Sequence, residues 1–226
     1  MGVNRKRYSI NSLNPKNGYA TVKMEITDGM SAKMKVVKRF LDVVGAVVCM
    51  VILSPVFLII YLAIKIGGSN NVIYRQERIG YKGRPFMILK FRTMKCDSEP
   101  EGKPMLAEVS DDRLTRIGKF LRERHLDELP QLWNVLRGDM SFVGPRPERR
   151  YFINLIRKEN ADYDYVLLMK PGLTSDATLY NGYTDTMEKM LIRLNMDLEY
   201  LQKRSLWVDT KIVLTTVAFI LKGKKF

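Results

Sequence analysis

Residues 43–64 contain no charged side chain. As one helix rising about 1.5 Å per residue they would reach about 33 Å, close to the hydrocarbon thickness of a bilayer. Ser54 and Pro55 stand in the middle of the run, and proline removes a backbone hydrogen bond and bends a helix. Both flanks are basic: Lys33, Lys35, Lys38 and Arg39 precede the run, and Lys65, Arg75, Arg78, Lys82 and Arg84 follow it. Basic flanks favour the cytoplasmic side, so a helix broken at Ser54-Pro55 would enter and leave the same leaflet as a re-entrant hairpin. A kinked single-pass anchor is the competing reading. The run begins only after Asp42, unlike the apolar core of a secretory signal, and is therefore expected to be retained.

The rest of the composition narrows the partners. A chain of 226 residues, 46% of them hydrophobic, suits one domain with an appendage and a modest core. Its net charge of +14 calls for an anionic partner: nucleic acid, acidic lipid head groups or phosphorylated small molecules. Two cysteines, Cys49 and Cys96, supply neither a disulfide framework nor a cysteine metal cluster, which fits a reducing, cytoplasm-facing setting. The single histidine, His125, excludes a multi-histidine zinc centre, so any metal would use oxygen ligands.

Local patterns place the elements. Residues 1–34 are scattered polar and basic positions and read as a mostly flexible extension. Residues 72–78 and 86–91 read as short strands around a turn marked by Gly80, Gly83 and Pro85, and residues 96–112 as a polar surface loop. Helical spacing covers 113–124, 128–136, 149–158 and 186–204, the last with Met190, Leu194, Leu198 and Leu201 on one face. From Leu206 the chain carries Trp207, an apolar run over 212–221, and then Lys222, Lys224 and Lys225. That tail suits a helix lying at a membrane interface and equally a helix packed on the protein's own core.

The densest chemistry lies between Arg122 and Leu132, which hold Arg122, Arg124, His125, Asp127 and Glu128. Adjacent acids at a helix start are ordinarily explained by the helix dipole. Here, however, Arg137, Arg146, Arg149 and Arg150 follow, and such cations are expected to depress carboxylate pKa values and to bind phosphate oxygens. A carboxylate attacks a phosphoanhydride only when the charge developing on phosphate is neutralised by Mg²⁺ or by arginines. One carboxylate would then be the nucleophile, while its neighbour assists with the metal or a proton. Pro145 and Pro147 hold the backbone on either side of Arg146, which suits a fork presented to phosphate and equally an ordinary turn. Lys90 and Arg92 share one strand face at period two.

In order along the chain stand Lys38-Arg39 with Asp42, the Ser54-Pro55 break, Tyr74-Arg75-Gln76 through Gly80 and Gly83, and Lys90-Phe91-Arg92-Thr93-Met94. Asp127-Glu128-Leu129-Pro130-Gln131-Leu132, Gly144-Pro145-Arg146-Pro147 and Pro171-Gly172-Leu173-Thr174 follow. In that order and spacing the chain, from about Lys35 onward, resembles the monotopic bacterial phosphoglycosyl transferases. The resemblance implies a mainly α fold with a minor β-hairpin: a re-entrant membrane helix over 35–66, then a small catalytic domain over 67–226 with interfacial amphipathic helices. It implies that Asp127 attacks the β-phosphate of a UDP-sugar, that UMP leaves, and that polyprenyl phosphate takes the phosphosugar from the aspartate. By the same resemblance Glu128 is the dyad partner and Mg²⁺ bridges Asp127, Glu128 and the diphosphate. Lys90, Arg92, Arg122 and Arg146, with Pro145 and Pro147 around it, contact phosphate or nucleotide, while Lys38 and Arg39 suit the lipid phosphate. The implied partners are a UDP-sugar, polyprenyl phosphate and membrane lipids, with no nucleic acid and with a homo-oligomer allowed for. The implied location is the bacterial inner membrane, with the catalytic domain facing the cytoplasm.

The chain looks like the short form of the family, which lacks a bundle of spanning helices before the core. It departs from many relatives in Ser175-Asp176-Ala177-Thr178 after the last motif and in His125, both of which bear on the sugar. Two other functions compete. A non-enzymatic anchor binding acidic lipid or nucleic acid would explain the charge, but the aromatic-rich basic motif of nucleic-acid binders is missing. A phosphohydrolase would use the same aspartate with water as acceptor.

Overall fold

The computed structural model describes residues 7–9, 25–68, 71–94, 113–182 and 184–223. The surface loop expected over 96–112, Cys96, and Lys224 and Lys225 lie outside the described residues. The elements run β1 (Arg7–Ser9), β2 (Glu25–Thr27), α1 (Ala32–Ile52), α2 (Ser54–Ile66), β3 (Ile73–Ile79), β4 (Pro85–Phe91), α3 (Arg116–Glu123) and α4 (Gln131–Arg137). They continue as β5 (Ser141–Val143), α5 (Arg150–Glu159), α6 (Tyr163–Val166), β6 (Gly172–Thr174), α7 (Asp176–Asn181), α8 (Met187–Lys203) and α9 (Leu206–Leu221). The fold is thus mostly helical, as expected, with three two-stranded pairings among the described residues, β1–β2, β3–β4 and β5–β6, rather than one hairpin.

The uncharged run does break at Ser54-Pro55. Ser31 caps α1 by accepting from the Met34 N–H, and α1 ends where the Leu53 N–H reaches the Cys49 carbonyl. Ser54 Oγ donates to the Val51 carbonyl, and Pro55 falls in the first turn of α2, where its missing N–H leaves no bond unmade. The two axes meet at 61°. Among the described residues no single helix is long and apolar enough to cross a membrane, and the bent pair passes only when taken together. Val51, Ile52, Leu58, Ile59, Leu62 and Ile66 stay exposed, whereas Ile60 and Ile64 pack with Val72, Phe91 and Leu121. One face of α2 therefore returns to the body of the protein and the other faces outward.

The polar half of α1 is a fastener. Asp42, 5% exposed, accepts from Ser141 Oγ and the Phe142 N–H. Arg39 donates to the Val135 and Leu136 carbonyls at the end of α4, and Lys38 pairs with Asp209 of α9 at 2.6 Å. These carbonyls are among those a helix C-terminus leaves open.

The main core gathers around α8, where Met190, Leu194, Leu198 and Leu201 face Ile153, Ile156 and Ile212. The helix expected over 186–204 is found with Thr186 and Arg204 as its caps. The extension read over 1–34 is corrected at its C-terminal end. Ile26 and Met30 are almost fully buried, and Asp28 accepts from Arg204 and pairs with Lys35. An isolated Ile and Met in a polar stretch show no periodicity, so only the tertiary partner reveals them. The tail packs on the protein's own core through one face: Ile212 of α9 is buried, while Trp207 and Leu221 are exposed.

Candidate active site

Two close approaches of glycine set the frame. In α3 an added Cβ at Gly118 would lie 1.9 Å from the Thr93 carbonyl oxygen, so α3 sits directly on the residues leaving β4. Thr115, the N-cap of α3, also donates its N–H to that carbonyl. Arg122, one turn after Gly118, falls on the same face and donates through Nε to Thr93 Oγ1 at 3.1 Å. Elsewhere β5 and β6 pair in parallel, Ser141 with Gly172 and Val143 with Thr174. A Cβ at Gly172 would lie 2.1 Å from the Gly144 nitrogen. The Gly144 and Pro171-Gly172 motifs are thus two sides of one contact, and the stretch from Pro145 to Pro147 leaves it in a fixed direction. Pro145 accepts from the Gly172 N–H, and Pro147 from Arg78 Nη1.

The carboxylates sit in a turn between α3 and α4. His125 adopts φ 55°, a left-handed conformation that costs roughly 1–2 kcal/mol for a residue with a Cβ. It reverses the chain into a 3₁₀ turn over Leu126–Glu128. Asp127 and Glu128 therefore precede α4 instead of lying in its first turn, as the helical spacing had suggested. Asn134 of α4 accepts from the Leu89 N–H and donates to the Met87 carbonyl, pinning the helix to β4 and bringing Lys90 to Glu128.

Glu128 Oε1 accepts from Lys90 Nζ at 2.7 Å and from Arg146 Nη2 at 3.3 Å. Burial pushes its carboxyl up, but these two cations outweigh burial and hold it below the usual carboxylate range. Asp127 is 6% exposed, and among the described residues none hydrogen-bonds its carboxylate. Burial, helped by the charge of Glu128, pushes it up to about 6 against the pull of Lys90, Arg122 and Arg146. The expectation that cations depress both carboxylates thus holds for Glu128 and is corrected for Asp127, because the cations are spent on its neighbour and desolvation dominates.

Both carboxylates open into a cavity of about 480 Å³. Its described lining carries eight cationic side chains, among them Lys90, Arg92, Arg122 and Arg146, against three carboxylates. Arg92 also donates to the Asn71 carbonyl and stacks over Tyr74. Lys38 and Arg39 do not line this cavity, and both are committed to the protein's own groups. Sequence reasoning missed Arg78, Arg193 and a role for Glu148, which all reach the cavity wall. Glu148 Oε1 accepts from Arg193 Nη1 at 3.0 Å. The missed signal was the single buried arginine on the apolar side of α8. Among the described residues no cluster of three or more His, Cys, Asp or Glu could hold a metal. Two adjacent carboxylates, one of them with no hydrogen-bond partner among the described residues, fit a hard dication that draws its remaining ligands from a diphosphate.

The family profile described as bacterial sugar transferase matches residues 33–223. The chain belongs to the bacterial sugar transferase family. It is 44% identical over 188 residues to a UDP-glucose:undecaprenyl-phosphate glucose-1-phosphate transferase of Caulobacter vibrioides, covering 81% of this chain and 69% of the relative. It is 38% identical over 187 residues to a UDP-N-acetylgalactosamine-undecaprenyl-phosphate N-acetylgalactosaminephosphotransferase of Aeromonas hydrophila, covering 83% of this chain. To a UDP-glucose:undecaprenyl-phosphate glucose-1-phosphate transferase of Escherichia coli it is 41% identical over 203 residues, covering 89% of this chain. The chain spans 44% and 43% of the length of these last two relatives.

Proposed function

We propose that this chain moves a sugar 1-phosphate from a UDP-sugar to polyprenyl phosphate through a covalent intermediate on Asp127, beginning the assembly of a bacterial surface glycan. The observation that carries the reading is Asp127 itself: a buried carboxylate with no hydrogen-bond partner among the described residues, in a cationic cavity, beside a glutamate already held by Lys90 and Arg146. An Asp127 oxygen attacks the β-phosphorus of the donor, and the bond to the UMP oxygen breaks, UMP leaving with the electron pair. A phosphate oxygen of the lipid then attacks the same phosphorus and expels the Asp127 carboxylate. The product is a polyprenyl-diphosphate-sugar. Arg122 and Arg146 offer forks to the non-bridging oxygens. Asp127 and Glu128 would hold Mg²⁺, which when bound supplies neutralisation of diphosphate charge.

A two-step route lets a soluble donor and a lipid acceptor use one site in turn. The bent pair of α1 and α2 supports a monotopic, re-entrant attachment to the cytoplasmic membrane. Its outward face is apolar, and both of its ends are fastened to the same body through Asp42 and through Ile60 and Ile64. The test is incubation with a UDP-sugar alone, followed by peptide mass mapping. A phosphosugar adduct on the Asp127 peptide, discharged by added polyprenyl phosphate, is the expected result. An adduct on another residue, or UMP release only when both substrates are present, would overturn the assignment.

A further inference from the structure

The geometry points to a subsite on α9 for the first prenyl units of the lipid acceptor, an inference that rests on the transferase reading above. Val213, Val217 and Ile220 line the same cavity as Asp127, and their spacing of four and three puts them in one stripe along the helix. Cys49 and Leu53, at the end of α1, and Phe142 of β5 also line it. A nucleotide-sugar offers a uracil ring face and small C–H or methyl patches, but no continuous apolar chain to cover a stripe about two turns long. An amphiphile with an anionic head does: its phosphate meets the Lys90 and Arg122 cations while its chain covers the stripe.

Two further observations favour a chain arriving from the bilayer. Val217 and Ile220 are 48% and 44% exposed, so an apolar wall stands uncovered in the protein alone. Next to Leu53, Val51 and Ile52 on α1 are each 68% exposed, which continues the apolar surface from the cavity mouth to the outward face of the bent pair. A prenyl chain following this path leaves the hydrocarbon without crossing water. The stripe is held in register with the arginine loop by the hydroxyl contact of Thr216 with Thr174 at 2.8 Å, since β6 carries Thr174 beside the Gly144–Gly172 contact.

The experiment separates the two half-reactions in detergent. Val217→Ser/Ile220→Ser is compared with wild type and with Leu214→Ser, an exposed change on the same helix whose side chain does not line the cavity. In the double variant the apparent KM for undecaprenyl phosphate should rise about tenfold from the lost apolar contact, and that for geranyl phosphate, which carries the same first prenyl units, should rise with it. Adduct formation from the donor alone should stay within about twofold of wild type, which also reports that the variant is folded. Leu214→Ser should behave as wild type in both. The subsite is refuted if the acceptor KM does not move, if Leu214→Ser moves it equally, or if the donor step falls in parallel. Failure of the wild-type enzyme to form any adduct would instead overturn the transferase reading itself.

Discussion

Arg146 stands between two buried acidic groups that share one electrostatic pattern. In front, Glu128 is held by Lys90 and Arg146, and Asp127 beside it has no hydrogen-bond partner among the described residues. Behind, Glu148 is held by Arg193 and Arg78, and Asp197, likewise without such a partner, is pushed up to about 7 by burial and by the charge of Glu148. Asp127 opens into a cavity of about 480 Å³, while Asp197 faces one of about 10 Å³, room for about one water molecule. The lesson is that a perturbed buried carboxylate is not in itself a catalytic group. Access separates the two: only the front aspartate can be reached by a phosphate, and the rear one serves packing around α8.

The largest expected effect tests that distinction directly. Asp127→Asn should lower donor-dependent UMP release by about 10⁴-fold or more, as removal of a nucleophile does, whereas Asp197→Asn should keep the rate within about fivefold. Equal loss in both would break the comparison. Next, Glu128→Gln should slow adduct formation by about 10²-fold or more and move its acid limb. The nucleophile must be ionised, so without Mg²⁺ the Asp127 carboxyl should take up its proton as pH drops through about 6, and bound Mg²⁺ should carry the acid limb of the rate to lower pH. Without the Glu128 charge, and with Lys90 and Arg146 released toward Asp127, the midpoint should shift to lower pH. An unmoved midpoint in single-turnover measurements would mean that another group controls ionisation.

Behind Arg146 the effects should appear in stability. Glu148→Ala leaves Arg78 and Arg193 buried without their partner, and should destabilise the fold by about 3 kcal/mol in denaturant titration. The second stability effect concerns Asp197. Its pKa in the folded protein lies above the ordinary value of 3.8, so the native state holds the extra proton between about pH 4 and pH 7. That contribution is complete below pH 4 and is lost as pH rises through about 7. Asp197→Asn should therefore gain thermal stability relative to wild type as the pH is raised across that window. A constant difference between the two would show that Asp197 ionises in the folded protein at its ordinary pKa.

Much of this architecture is legible in the order of the residues. The Ser54-Pro55 break, both strands of the β3–β4 hairpin, the boundaries of α8 and the adjacency of Asp127, Glu128 and the arginines all follow from short-range pattern. Lys38 and Arg39 show where such reading stops. Their charge and place before an apolar run suggest a lipid phosphate, yet they hold Asp209 and the end of α4. The core role of Ile26 and Met30 and the pairing of Gly144 with Gly172 are equally hidden, because each depends on a partner far along the chain.

Residue order by itself determined the elements that arise from periodicity and from backbone chemistry within a few residues, together with the kind of chemistry the charged clusters could support. Only the tertiary structure decided which cations meet which carboxylates. A carboxylate's ionisation depends on desolvation and on charges only a few ångströms away, and those distances are set when β4, α3, α4 and the arginine loop pack together. That packing leaves Glu128 paired and Asp127 open to the cavity, two neighbours in sequence with opposite behaviour.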